Sequence, residues 1–261
     1  MTRIHATAIV DPRAQIGKGV EVGPYSVIGP HVTLGDETVV GSHAVIDGHT
    51  RIGRRCTVFV GACLGMQPQD KKFKNVVSYL EIGDDNVIRE YVTLHAGSTE
   101  GSKTKIGNKN YLMVACHVGH DALIGDNVTM ANGCLLGGFT VVEDMAVLGG
   151  YAGVHQHVRV GKLSMLGAFS KAVMDVPPFS ICEGHRAKVC GVNVVGLRRN
   201  GYSSRDAAQI KKAIKILCMS DLSLPTALKK VKKEADGNES MRHLIEFFQH
   251  SKRGLSRASE G

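Results

Sequence analysis

Counting every sixth residue from Ile4 gives an aliphatic column that runs unbroken through Val10, Ile16, Val22, Ile28, Leu34, Val40, Ile46, Ile52 and Val58 to Leu64. The column resumes in the same phase at Val76, Ile82, Ile88 and Leu94, and again from Ile106 to Leu166; only Asp70 and Glu100 interrupt it. A period of six fits neither the helical repeat of about 3.6 nor the alternation of a half-buried strand. It fits a chain wound into a prism, where each hexad supplies a short strand and a bend. Three hexads then close a triangular coil of eighteen residues, and coils stack at the strand spacing of roughly 4.8 Å. Residues eighteen apart are expected to lie one above another.

Glycine directly follows the column residue at many hexads, as at Gly17, Gly35, Gly83, Gly125 and Gly149, and is read as permitting backbone geometry a side chain would hinder. The two interruptions predict loops near residues 66–78 and 97–104, where sites on a rigid scaffold are commonly built. Asp175-Val176-Pro177-Pro178 is expected to end the repeats, because proline cannot continue a ladder. Beyond Gly201 the pattern turns helical. Ser204 is placed as the cap of a helix over Arg205–Met219, Pro225 opens a second to Ala235, and Asn238 caps a third that stops before Gly254. The expected organisation is a parallel β-prism over residues 1–190 and a small α-helical domain over 191–261.

Composition adds exclusions. No apolar run is long enough to cross a bilayer, and the first residues lack the apolar core of a signal peptide. The seven cysteines show no C-x-x-C pair and leave an odd one, which suits reduced thiols in a cytoplasmic protein. The net charge of +8 is concentrated: from Arg198 onward there are fourteen Lys and Arg against seven Asp and Glu. That asymmetry predicts an acidic partner of the C-terminal part and argues against nucleic acid, which a more evenly basic surface would coat. Lys211, Lys212 and Lys215 share one helical segment, and Lys229, Lys230, Lys232 and Lys233 another.

His117-Val118-Gly119-His120-Asp121 is the densest chemical cluster. Val118 belongs to the inward column, so His117 and His120 straddle it near a corner. The eighteen-residue ruler puts Gly138 one coil above His120 and Gln156 above that, with His155 beside it. A base next to a main-chain N–H donor suits acyl transfer: His120 accepts a proton from an attacking hydroxyl or amine, Gly138 N–H stabilises the oxyanion, and Asp121 orients the imidazole.

The pattern resembles the hexapeptide-repeat acyltransferases, and that resemblance implies a left-handed coil, against general crossover sterics, which favour the right hand in roughly 98% of cases. A narrower resemblance rests on Glu81-Ile82-Gly83, Ile88-Arg89-Glu90, His117 to Asp121, Val154-His155-Gln156, Asp175 to Pro178 and Gly191 to Arg199. Over nearly the whole chain the sequence is similar to the UDP-N-acetylglucosamine acyltransferases that begin lipid A biosynthesis. The resemblance implies a cytoplasmic homotrimer with sites between neighbouring prisms, no cofactor, and a 3-hydroxyacyl chain delivered by acyl carrier protein, the acidic partner of the basic helices. Carried over, it makes His120 the general base, Asp121 its partner and Gly138 the oxyanion donor. His117, His155 and Gln156 then surround the site, Asp70 and Lys72 bind the acceptor, and Asn193 and Arg199 bind the nucleotide.

Departures cluster around the acceptor. Phe139 stands where the family commonly has His, Asn75-Val76 where Gly-Glu follows the loop lysine, Val195 where an acidic residue is common, and Asn200 where a second Arg often stands. They raise the expectation that the acceptor is the 3-amino analogue of the sugar nucleotide, giving an amide instead of an ester. Ala168, at a position where glycine deepens the acyl groove, and Lys171 near the same end are expected to set chain length. Two rivals remain: a gamma-type carbonic anhydrase, with zinc held by histidines drawn from His117, His120, His155 and His157, and another hexapeptide acyltransferase acting on a nucleotide sugar.

Overall fold

In the computed structural model, which describes residues 1–234 and 238–258, the chain folds as a left-handed parallel β-helix followed by short helices. Three sheets of eleven, nine and eight strands, parallel except for the last pair of the eleven-stranded sheet, form the prism faces, and most strands are two residues long. The column residue points inward and in most coils ends its strand: Ile46, Leu64, Leu94, Val118, Leu136 and Leu148 are fully buried. At the N-terminal end the column is open, with Ile4 47% exposed.

A second inward column lies two residues before the first. It is made of small side chains of mixed polarity, including Ser26, Ala44, Cys56, Asn86, Thr104, Cys116, Val128, Cys134 and Ala152, all buried. These fill the prism corners, where there is no room for a large residue. Cys56, Cys116 and Cys134 are therefore corner-filling residues, and burial raises all three thiols, Cys116 to about 11.

At the corners, the residue three places after the column adopts a left-handed backbone conformation. Tyr91, Lys109, Asp121, Phe139, Tyr151 and Phe169 all have φ between 55° and 59°. Most such corners are not glycine. The glycines directly after the column have a different purpose from the conformational one expected of them: they stack against the next coil. A Cβ on Gly35 would lie 2.5 Å from the carbonyl carbon of Gly53, and one on Gly149 would lie 2.5 Å from Ala168 N.

Val40 pairs with Val58, Val118 with Leu136 and Leu136 with Val154, so the eighteen-residue ruler holds through most of the stack. At the two loops it stretches. Ile52 pairs with Ile82, twelve residues beyond the ruler, and Leu94 pairs with Val118, six beyond it. Both insertions are whole multiples of the hexad, which is why the column keeps its phase across them. Val76 is a correction: it lies in the first loop, and the column resumes in the strand Tyr79–Ile82.

The prolines do not end the ladder. Ser180–Glu183 follows them and pairs in parallel with Met165–Leu166, and Lys188–Val192 then turns back antiparallel on it. This hairpin caps the prism and leads, among the described residues, into four helices: α1 (Val194–Arg199), α2 (Ser204–Cys218), α3 (Leu224–Glu234) and α4 (Glu239–Gln249). The cap of α2 is Ser203, one residue earlier than expected, with its Oγ accepting from Asp206 N. Pro225 sits in the first turn of α3, Asn238 caps α4 as expected, and the expected end of α3 at Ala235 lies outside the described residues. The helices are tied back to the prism by Glu143, which accepts from His243 Nε2 at 2.7 Å and Arg159 Nη2 at 3.1 Å. Arg159 also lies over the Phe247 ring, and the tail returns to the prism where Asp175 N donates to Gly254 O.

Candidate active site

His117 and Val118 form a two-residue strand of the nine-stranded sheet, and the chain then turns the corner through Gly119, His120 and Asp121. His120 Nδ1 lies 2.8 Å from Asp121 Oδ2, with the two side chains 14% and 8% exposed. A carboxylate accepts only, so Nδ1 carries the proton and Nε2 presents its lone pair. Asp121 Oδ2 also accepts from Ser98 N at 3.0 Å. Burial pushes the Asp121 carboxyl up, but hydrogen bonds from Ser98, His120 and Ser102 outweigh it and leave the group below its ordinary value.

One coil up, Gly138 lies under the imidazole. A Cβ there would be 2.6 Å from His120 Cε1 and 2.7 Å from Nε2. On the neighbouring corner of the prism, amides at the equivalent place are closed off by side chains of the next coil: Asn108 N donates to Asp126 Oδ1 and Asp126 N to Asp144 Oδ1. At the site that carboxylate ladder is replaced by His120, Gly138 and Gln156. Among the described residues, Gly138 N–H has no acceptor.

A cavity of about 400 Å³ gathers Gln69, His95, His117, His120, Gly138, His155 and Gln156. His95 and Gln69 were not anticipated. The eighteen-residue ruler places His95 beneath Met113, whereas the inserted loop stretches the interval to twenty-four and brings it beneath Gly119; Gln69 lies in the other loop. His95 Nδ1 donates to Gln67 O at 2.6 Å, and its ring meets that of His117 edge to face at 5.1 Å. His117 Nδ1 lies 2.8 Å from Thr93 Oγ1. Burial, then the neighbouring His95 and His120, push His117 down to about 4, and burial also holds His95 below its ordinary value. Both rings are therefore neutral near pH 7.

Next to this cavity runs an apolar groove of about 480 Å³ lined by His117, Leu135, Tyr151, Val154, Phe169 and Lys171, among others. Ala168 lies outside that lining, exposed at the corner beside Phe169. Phe139 stands edge-on to His120 at 5.2 Å and stacks on His157 at 4.7 Å. Asp70 accepts from Lys72 N within the first loop, and neither residue lines the cavity. Asn193 is buried: its Oδ1 caps α1 by accepting from Gly196 N, and its Nδ2 donates to Leu163 O. Arg199 is exposed in the last turn of α1, also outside the cavity. Among the described residues, no three His, Cys, Asp or Glu side chains are grouped to hold a metal ion. His120, His117 and His95 each commit Nδ1 to a partner within the chain.

Fold and site together define the class, a hexapeptide-repeat transferase. Family comparison agrees, matching bacterial transferase hexapeptides over residues 1–36 and 103–138 and the second domain of UDP-N-acetylglucosamine O-acyltransferase over residues 175–256. Acyl-[acyl-carrier-protein]–UDP-N-acetylglucosamine O-acyltransferases from Herminiimonas arsenicoxydans and Alkalilimnicola ehrlichii are 46% and 47% identical, each alignment covering 98% of this chain and all of the relative. The solved structure of LpxA from Acinetobacter baumannii superposes with a TM-score of 0.94 at 38% identity, over 97% of this chain and 99% of that one. The Arabidopsis UDP-N-acetylglucosamine acyltransferase structure gives 0.84 at 33%, over 97% of this chain and all of that one. The chain belongs to the UDP-N-acetylglucosamine O-acyltransferase family.

Proposed function

We propose that the protein transfers a 3-hydroxyacyl chain from acyl carrier protein to the 3-hydroxyl of UDP-N-acetylglucosamine. The observation that carries this reading is the pairing of His120 Nε2, its lone pair free, with the open amide of Gly138. His120 takes the proton of the 3-hydroxyl, and the oxygen attacks the thioester carbonyl. The resulting oxyanion is held by Gly138 N–H; as the C–S bond breaks, the carrier thiolate leaves with the proton from His120. Asp121 keeps Nε2 as the basic nitrogen throughout, and the apolar groove beside the cavity suits the acyl chain, with Lys171 at its lining.

Asn193 and Arg199 stand apart from the cavity within one chain, and Asp70 and Lys72 lie in a loop beside it. For Asn193 and Arg199 to reach the nucleotide, a second copy has to complete the site, as the proposed trimer would allow. The names of the relatives favour a hydroxyl acceptor, and Phe139 is then an apolar wall against His120.

Product mass spectrometry with a panel of acyl carrier thioesters and both sugar nucleotides tests the reading. An O-acylated UDP-N-acetylglucosamine is expected, with turnover abolished in His120→Ala and nucleotide binding retained. Preferential N-acylation of the 3-amino analogue would replace the acceptor. Near-normal turnover by His120→Ala would remove the base.

A further inference from the structure

At the non-glycine left-handed corners of the coils from Glu37 to Phe169, the corner N–H donates to a main-chain carbonyl of the coil below. Lys109 N donates to Asp84 O, Asn127 N to Asn108 O, Phe139 N to His120 O and His157 N to Gly138 O. In the first coils Tyr25 N also donates to a side chain, Thr7 Oγ1, at 3.1 Å; from Glu37 to Phe169 the exception is Asp121, whose N–H donates to Thr104 Oγ1 at 2.8 Å. The carbonyl that would have served belongs to Ala96, and there the chain leaves the coil for the six-residue insertion.

The loop and the strand after it return what was removed. Thr104, a fully buried corner residue of the strand Lys103–Ile106, stands in for the missing carbonyl, and Ser98 of the loop donates its N–H to Asp121 Oδ2, the oxygen that His120 Nδ1 also contacts. Ser102 Oγ stiffens the loop by accepting from Thr99 N. Both ends of Asp121 are therefore fixed by one segment: its backbone by Thr104 and its carboxylate by Ser98.

We infer that residues 97–104, the inserted loop together with the start of the strand Lys103–Ile106, are a positioning device for the His120–Asp121 pair, with Thr104 the principal positioning residue. This deepens the acyltransfer reading and rests on it. The column interruption at Glu100 is thereby explained: Glu100 is exposed at the loop tip, and the inserted hexad matters for the donors and acceptor at its two ends. An ordinary corner holds its residue by one main-chain bond and leaves the side chain free. Here the side chain has to be aimed, and a carboxylate two torsions from the backbone is aimed only when the backbone and the oxygen are held independently.

Steady-state kinetics on the full-length enzyme, with acyl carrier thioester and UDP-N-acetylglucosamine, tests this in Thr104→Val and Thr104→Ser. Thr104→Val keeps the shape and loses the acceptor. It is expected to lower kcat about tenfold, with the KM for nucleotide unchanged. Thr104→Ser, which keeps the hydroxyl acceptor, restores kcat. A Ser98→Ala/Ser102→Ala variant, which removes the two hydroxyls that hydrogen-bond the Asp121 carboxylate and leaves the corner bond and the Ser98 N–H in place, lowers kcat in the same way with the nucleotide KM again unchanged. An unchanged kcat in both Thr104→Val and the serine variant, a loss that falls on the nucleotide KM instead, or a Thr104→Ser enzyme as impaired as Thr104→Val, would overturn the inference. His120→Ala separates the two questions, since turnover surviving there sinks the acyltransfer chemistry itself and not the role of the loop.

Discussion

His117 and His120 flank the same core valine, and burial separates their behaviour. His117 is pushed down to about 4, so the folded protein binds fewer protons there than the unfolded chain, whose imidazole titrates near 6.5. The contribution of His117 to stability is therefore complete above about pH 6.5 and is lost as pH falls toward 4. His95 acts in the same direction. Asp121, also held below its ordinary value, acts with the same sign in a lower window: its contribution is complete above the ordinary carboxylate pKa and is lost as pH falls from there. Urea denaturation at pH 7 and pH 4.5 should show a loss of stability that His117→Gln reduces by roughly 2 kcal/mol, after discounting for partial solvent screening. His117 and His120 were legible as a pair in the sequence because both lie within three residues of a column valine. His95 was not, because no local pattern reveals that a loop has stretched the interval between coils.

At the scale of elements, α3 carries Lys229, Lys230, Lys232 and Lys233, all exposed, and its one carboxylate, Glu234, pairs with Lys212 on α2. The helix buries only Ala227 and Val231, so its charge faces solvent. Reversing the four lysines to Glu is expected to raise the KM for acyl carrier protein about tenfold at low salt, an effect that fades as ionic strength rises. The KM for the nucleotide should not change. An unchanged carrier KM would remove α3 from the docking surface. Sequence periodicity located α2 and the starts of α3 and α4 to within a residue, since caps such as Asn238 and a run of amphipathic spacing are local signals; it did not anticipate the short α1, and α4 stops at Gln249, short of the expected end before Gly254. It missed the corner column, whose members share size and not hydrophobicity, so that Val20, Ser26, Thr38 and Cys56 look unrelated until the corner they fill is seen. It also ended the ladder two strands early, because Pro177 and Pro178 occupy the turn before Ser180–Glu183, where no ladder donor is needed.

The whole molecule is polar along its axis. The first strands, Arg3–Ile4, Ile9–Val10 and Gln15–Ile16, are the free edges of the three sheets, and each pairs only with the coil above. The opposite end is closed by the hairpin, the helices and the returning tail. Because each coil contacts only its neighbours, stability is distributed as a sum of like units. Pulled by its two ends, such a stack should peel from the N-terminus one coil at a time, each release lengthening the tether by roughly 60 Å for eighteen residues. Where the inserted hexads lie, the releases should be longer, by roughly 40 Å for the twelve-residue insertion and 20 Å for the six-residue one. A single-molecule force trace with uniform steps throughout would contradict this. The repeat that spaces the core would then be read out directly as a graduated scale, with two oversized divisions marking the loops beside His120.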